Sequence, residues 1–234
     1  MMWLAGTTPS PLWFANRATG AVTMVLLTAS VVLGMGTTVR WKSTFWPRYI
    51  NVGLHRNVSL MFVCFLAVHI VAAVIDPFAN LGWRDALIPF VSSYRPFWLG
   101  LGVVAAEIAV ALVLTTAVRS LISYGLWRLI HWLSYVSWPL ALLHGLGTGS
   151  DVRSWWLLWL EAACVLAVWV ALISWRLSFG EPRRAWPRLV AAGLSSVAVV
   201  ALLAWVVNGP MQPGWARTAG TPASLLQQVP TPTP

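Results

Sequence analysis

The chain alternates long apolar runs with short polar connections. Six of these runs are long enough to cross a hydrocarbon core of about 30 Å as helices. They are Trp13–Val39, Asn51–Ile75, Phe97–Val118, Leu121–Leu146, Trp155–Trp175 and Leu189–Val207. The pattern therefore predicts an all-α membrane protein, built as a bundle of six transmembrane helices.

The segments outside the apolar runs divide the chain into three parts. Residues 1–12 are predicted to be a short N-terminal extracytoplasmic segment, and residues 13–207 the six-span membrane domain. Residues 208–234 include six prolines and end in Pro-Thr-Pro-Thr-Pro. This composition predicts a disordered, proline-rich extracytoplasmic tail.

The composition agrees with a membrane protein. Of the 234 residues, 59% are hydrophobic and 9% are charged, against roughly 25% charged in soluble domains. The net charge of +9 does not indicate nucleic-acid binding, because the basic residues lie in short loops between apolar runs. Cys64 and Cys164 fall inside predicted spans without metal-site spacing, so they are predicted to be packing residues.

The distribution of Lys and Arg predicts the orientation. The side reached after spans one, three and five holds ten of these residues, and the opposite side holds five. Cytoplasmic loops carry the excess of positive charge. Both termini are therefore predicted to be extracytoplasmic in a multi-pass protein of the cell membrane, with spans two and four parallel. The ten are Arg40, Lys42, Arg48, Arg56, Arg119, Arg128, Arg176, Arg183, Arg184 and Arg188; the five are Arg17, Arg84, Arg95, Arg153 and Arg217.

The four histidines of the chain fall in two pairs on these parallel spans. His55 and His69 are 14 residues apart, and His131 and His144 are 13 apart. Each separation corresponds to roughly 20 Å along a helix axis. Neutral imidazoles ligate haem iron, and no covalent attachment motif is present. We expect two stacked b-type haems, with His55 and His131 as the axial ligands of the inner haem iron and His69 and His144 of the outer.

His131 and His144 can face the same way only if the helix that carries them is distorted. At 100° per residue, His55 and His69 lie about 40° apart around their helix and share a face. His131 and His144 lie about 140° apart on a straight helix. Pro139 lies between them and can kink or rewind a helix, so we expect it to help re-aim His144.

Basic and small residues near the histidines are candidate haem contacts. Arg56 and Arg128 would suit the propionates of the inner haem, and Arg17 would suit the outer haem or an external ligand. The alternative for each of the three is a charge that sets the topology or a snorkelling side chain. Gly20 and Gly34 are also 14 residues apart, which would allow close packing against a flat macrocycle.

Two carboxylates lie inside predicted spans, and several polar residues lie on the predicted outer side. Glu107 and Glu161 are either members of a proton path or hydrogen-bonded structural acids. The outer residues are expected to form a rim where an electron acceptor docks. They are Asp76, Arg84, Asp85, Tyr94, Arg95 and Asp151.

Four segments around the histidines carry a family resemblance. They are Gly53-Leu-His-Arg-Asn-Val-Ser-Leu60, Ala67-Val-His-Ile70, Trp127-Arg-Leu-Ile-His-Trp-Leu-Ser-Tyr135 and Leu142-Leu-His-Gly145. With their spacing, they resemble the ferric-reductase-like transmembrane domain. Ferric reductases, NADPH oxidases and the haem subunit of a periplasmic methionine-sulfoxide reductase share this domain. The resemblance implies the same assignment of the four histidines to an inner and an outer haem.

The chain departs from the oxidases of this family in two ways. We expect no cytosolic FAD/NADPH module, and the chain has one predicted span before the first histidine helix where the oxidases have two. We therefore predict an oxidoreductase component that takes electrons from a quinol or a separate cytosolic flavoprotein. The predicted acceptor is extracytoplasmic: ferric iron, an FMN-binding domain or a reductase partner. No catalytic residue is predicted.

Two other function classes remain open at this point. A quinol-oxidising cytochrome b of a respiratory complex also uses paired histidines on two helices, although no Pro-Glu-Trp-Tyr motif is present. A non-redox transporter or structural membrane protein would use the histidines for protons or a metal ion, and would be colourless.

Overall fold

The computed structural model of the chain describes residues 11–38, 47–77, 80–149, 152–178 and 185–226. Within these ranges all regular structure is helical. Helices satisfy their backbone hydrogen bonds internally, as hydrocarbon requires. The prediction of an all-α fold is confirmed for this part of the chain.

Ten α-helices follow one another along the described residues. They are α1 (Pro11–Thr38), α2 (Arg48–Ile75), α3 (Trp83–Leu87), α4 (Pro96–Ala117), α5 (Tyr124–His131), α6 (Ser134–Thr148), α7 (Trp155–Ser178), α8 (Ala185–Asn208), α9 (Trp215–Thr218) and α10 (Ala223–Leu226). A single 3₁₀ turn at Arg119–Leu121 precedes α5.

Five of the described helices are long and apolar enough to cross a membrane. The candidate spans are Pro11–Thr37, Arg48–Ile75, Pro96–Ala117, Trp155–Trp175 and Leu189–Asn208. They match five of the six predicted runs to within a few residues. The chain is therefore a multi-pass membrane protein.

The fourth predicted span differs from the prediction of one continuous helix over Leu121–Leu146. The structure divides it into α5 and α6, of 8 and 15 residues. The break lies at Trp132–Leu133, where the backbone N–H of Leu133 donates to the carbonyl of Ile130 at 2.9 Å. Neither piece has the 18 residues of a candidate span. A sixth crossing made jointly by α5 and α6 stays a prediction.

The chain forms two compact units, each assembled from separate stretches of sequence. The first unit comprises residues 1–21, 65–150 and 213–234, and in it α4 packs against both α5 and α6. The second unit comprises residues 22–64 and 151–212, and in it α7 packs against α8.

The segment predicted to be a disordered tail carries regular structure as far as Leu226. Helices α9 and α10 lie in it, and Gly214 and Gly220 adopt positive φ angles of 87° and 90°, which glycine tolerates in the turns around α9. Residues 1–10 and 227–234 lie outside the described part of the chain. So do Arg40, Lys42, Arg183 and Arg184, and the orientation of the termini stays a prediction.

Packing inside the first unit provides a test of this fold. Leu142 on α6 is 2% exposed, whereas Leu203 on α8 is 54% exposed. We expect Leu142→Ala to destabilise the protein by about 2 kcal/mol or more, because a cavity replaces its contacts. Thermal unfolding in detergent, followed by circular dichroism, measures the change. Leu203→Ala is the control, with an expected change within about 0.5 kcal/mol; equal losses in the two variants would contradict the packing of α6.

Candidate haem site

His69 on α2 is held by the first helix of the chain. Its Nδ1 lies 3.0 Å from the backbone carbonyl oxygen of Asn16 on α1. Gly20, one turn further along α1, faces the same ring: a Cβ there would lie 3.0 Å from His69 Cε1. The missing side chain at Gly20 thus lets the imidazole lie close to the α1 backbone.

His144 on α6 is held by α4 in the same way. Its Nδ1 lies 3.0 Å from the carbonyl oxygen of Trp98. A Cβ at Gly102, one turn further along α4, would overlap the imidazole ring. The carbonyl of Trp98 and the bare backbone of Gly102 together fix the height and direction of this ring.

His55 on α2 repeats the arrangement in the second unit. Its Nδ1 lies 2.9 Å from the carbonyl oxygen of Ser30, and a Cβ at Gly34 would lie 3.3 Å from His55 Cε1. The hydroxyl of Ser59 donates to the His55 carbonyl at 2.7 Å and shares a hydrogen bond with the hydroxyl of Ser30. Gly20 and Gly34 face the imidazoles of His69 and His55, and the contact with a macrocycle that was expected for them stays a prediction.

The three contacts determine which nitrogen of each ring carries the proton. A carbonyl oxygen only accepts, so Nδ1 of His55, His69 and His144 must be the donor. The Nε2 atoms then carry the lone pairs that bind metals, an arrangement typical of metal-ligating histidines. Within the described residues, no hydrogen bond uses Nε2 of His69 or His144.

The structure brings His69 and His144 together. Their ring centroids are 6.4 Å apart and their planes are inclined at 79°. With metal–nitrogen bonds of about 2 Å, two imidazoles on opposite sides of one metal atom have centroids roughly 6 Å apart. The observed separation therefore fits a bis-histidine iron. No group of three or more His, Cys, Asp or Glu side chains suited to a metal occurs among the described residues, but a haem iron needs only two protein ligands.

His131 differs from the other three histidines because it is the last residue of α5. Its ring stacks on Trp127, with centroids 4.9 Å apart and planes 19° from parallel. His55 belongs to the second compact unit and His131 to the first. Their pairing around an inner haem stays a prediction.

The distortion between His131 and His144 lies before Pro139, not at it. Pro139 sits inside the continuous helix α6, whereas the break is at Trp132–Leu133. The backbone N–H groups of Tyr135 and Val136 donate to carbonyls three residues back, which is 3₁₀ bonding. Each residue in 3₁₀ conformation turns the chain about 20° further around the helix axis than an α-helical residue does. About five such residues would therefore reduce the angle between His131 and His144 around the axis from about 140° to about 40°.

The arginines predicted to contact propionates lie beside aromatic rings or in exposed positions. The Arg17 guanidinium lies 3.8 Å from the centroid of the Trp13 ring, and Arg128 lies 5.2 Å from that of Trp132. Arg56 and Arg128 are exposed. Arg17 follows Asn16, whose carbonyl holds His69. The contacts of these arginines with haem stay predictions.

The two carboxylates inside the spans have different surroundings. Glu107 on α4 is exposed, whereas Glu161 on α7 is buried. Within the described residues, Glu161 Oε2 has no hydrogen-bond partner. Its neighbour Cys164 shares a hydrogen bond with Thr28 on α1. The two roles expected for these carboxylates, in a proton path or as structural acids, stay predictions.

The predicted outer rim separates into exposed and buried members. Arg84 is exposed, whereas Asp76 and Arg95 are buried, and Asp151 lies outside the described residues. The Arg95 guanidinium donates to the carbonyl of Gly147, three residues after His144. Burial lowers the pKa of Arg95 and raises that of Tyr94, whose hydroxyl donates to the carbonyl of Thr148 at 3.3 Å.

The backbone groups that hold the imidazoles were not predictable from the sequence. Any residue has a backbone carbonyl, so nothing in the side chains of Asn16, Ser30 or Trp98 indicated a role. Gly102 could have been identified from the sequence as a position of close helix contact, because glycines in apolar spans often lie where two helices approach each other.

With this geometry in view, comparison with known proteins defines the class of the chain. The family model described as "Ferric reductase like transmembrane component" matches residues 19–142, more than half of the chain. No curated protein and no solved structure matches it. The chain therefore belongs to the ferric-reductase-like transmembrane family, as the resemblance around the histidines predicted. Members of this family commonly bind haem, and the membership indicates a membrane electron-transfer role.

The contact between Gly102 and His144 can be tested by adding one methyl group. We expect Gly102→Ala to lower the unfolding temperature in detergent by several degrees, because Cβ displaces the imidazole from the Trp98 carbonyl. Gly193→Ala on α8 is the control, since a Cβ there meets nothing within 4 Å. If both variants unfold at the wild-type temperature, His144 does not pack against Gly102.

Proposed function

We propose that this protein carries electrons across the membrane on two b-type haems, as a component of an oxidoreductase. His69 and His144 are the proposed ligands of the outer haem, and His55 and His131 of the inner. The observation that carries the proposal is the shared tautomer of His55, His69 and His144, with Nδ1 fixed on a backbone carbonyl. The 6.4 Å separation of the His69 and His144 rings supports it.

The protein contributes orientation and electron density to each iron. A carbonyl that accepts the Nδ1 proton makes the imidazole a better donor at Nε2 and prevents the ring from turning. Neutral hydrogen bonds of this kind contribute about 0.5–1.5 kcal/mol each. When bound, haem with two histidine ligands exchanges single electrons and has no open position for oxygen.

The proposed direction of electron flow is outward, from the cytoplasmic side. The donor is a membrane quinol or a separate cytosolic flavoprotein. The acceptor is extracytoplasmic: ferric iron, an FMN-binding domain or a reductase partner. Residues on the outer side, including the exposed Arg84, are the proposed docking surface for that acceptor.

The absorption spectrum is the first test. Protein purified in detergent is expected to show the sharp α and β bands of low-spin b-type haem on reduction. A pyridine haemochrome assay is expected to give about two haems per chain. A colourless protein would instead support the transporter or structural class.

Histidine substitutions test the pairing. We expect His69→Ala and His144→Ala each to remove the same haem, and His55→Ala and His131→Ala each to remove the other. The double variant His69→Ala/His144→Ala is the matched control, because it should lose no more haem than either single variant. Potentiometric titration identifies the haem that remains. If His69→Ala and His144→Ala remove different haems, the assignment by depth is wrong.

A further inference from the structure

The segment 213–226 folds onto the beginning of α4 within the first compact unit. The backbone N–H of Arg95, the residue before α4, donates to the carbonyl of Gly220 at 3.1 Å. The side chain of Arg95 donates from Nε to Thr221 Oγ1 at 2.9 Å. Gly220 packs closely against Pro96, because a Cβ added at Gly220 would lie 3.2 Å from Pro96 Cδ. Arg95 is therefore joined to this segment through both its backbone and its side chain.

The same segment reaches the residues that hold His144. The rings of Trp215 and Trp98 lie with centroids 5.4 Å apart, and the carbonyl of Trp98 accepts the His144 Nδ1 proton. The carbonyl of Gly147 accepts from Trp215 Nε1 at 3.3 Å and from Arg95 Nη1 at 2.9 Å. Arg95 thus contacts α6 at Gly147, which lies about 4.5 Å further along the helix axis than His144.

The guanidinium of Arg95 is buried, and only some of its N–H groups donate hydrogen bonds. The residue is 4% exposed. A guanidinium has five N–H donors, and the two bonds from Nε and Nη1 use two of them. Within the described residues no carboxylate pairs with Arg95. A buried cation without a counter-ion is costly, so the site is built for an anion.

We propose that Arg95 binds a carboxylate, namely a propionate of the haem held between His69 and His144. A guanidinium matches a carboxylate with two parallel hydrogen bonds, and that of Arg95 contacts α6 at Gly147, about one helical turn from His144. The segment 213–226 is then part of the outer haem site, because Gly220 and Thr221 fix Arg95. This inference rests on the proposed function. It is compatible with Arg17 as a contact, since haem has two propionates.

The test compares variants of Arg95 in the full chain, purified in detergent without added acceptor. We expect Arg95→Gln to shift the midpoint potential of one haem downward, because losing a nearby positive charge favours the oxidised iron. The other haem should be unchanged. If the outer haem is lost, the pyridine haemochrome value falls from about two haems per chain to about one. Arg95→Lys keeps the charge and should shift the potential less.

Two further variants separate binding from general stability. Thr221→Val removes the bond to Nε and is expected to shift the same potential in the same direction, by less than Arg95→Gln. Arg217→Gln is the matched control, because Arg217 is an exposed arginine of the same segment. It should leave both potentials and the haem content at wild-type values. If Arg95→Gln does not accumulate, Arg95→Lys and Thr221→Val carry the test.

Three results would overturn the inference. Arg95→Gln with both haems and both potentials unchanged would exclude a propionate contact. Equal loss of both haems would show that Arg95 only stabilises the fold. The potentials can also be measured with and without added citrate. If citrate shifts a midpoint potential of the wild-type protein but not of Arg95→Gln, and the two proteins have equal potentials without citrate, the ligand of Arg95 is an external carboxylate and not a propionate. A wild-type protein without haem bands would instead overturn the proposed function, which is a distinct outcome.

Discussion

The hydrogen bond from an imidazole Nδ1 to a helix carbonyl is the interaction on which the candidate site depends. A carbonyl inside a helix already accepts one backbone N–H, and its second lone pair remains available. Ser30, Asn16 and Trp98 each use a carbonyl in this way for a histidine of a neighbouring helix. Such a bond requires close helix approach, and this explains the glycine one turn away from each acceptor.

Much of the architecture followed from the sequence, because hydrocarbon imposes few solutions on a backbone. Long apolar runs predicted five helices that the structure contains with nearly the same ends. The histidine spacing predicted the meeting of His69 and His144. These features depend on periodicity and length, which are local properties of the chain.

The remaining features depend on contacts between distant residues. The break at Trp132–Leu133 has no glycine or proline within five residues on either side, and Pro139, the proline of that run, sits in continuous helix. The polar, proline-rich composition of residues 208–234 indicated disorder, but Thr221 and Trp215 find partners 126 and 68 residues earlier. Composition cannot show such pairings.

The order of synthesis gives the contact between Arg95 and Thr221 a further meaning. Arg95 leaves the ribosome 126 residues before Thr221 and ahead of α4, α6, α7 and α8. The guanidinium can donate to Gly147 as soon as α6 has been synthesised, but its bond to Thr221 must wait until α7 and α8 have also been made. The contact between Arg95 and Thr221 is therefore a late event in biogenesis, formed after every long helix of the chain has been synthesised.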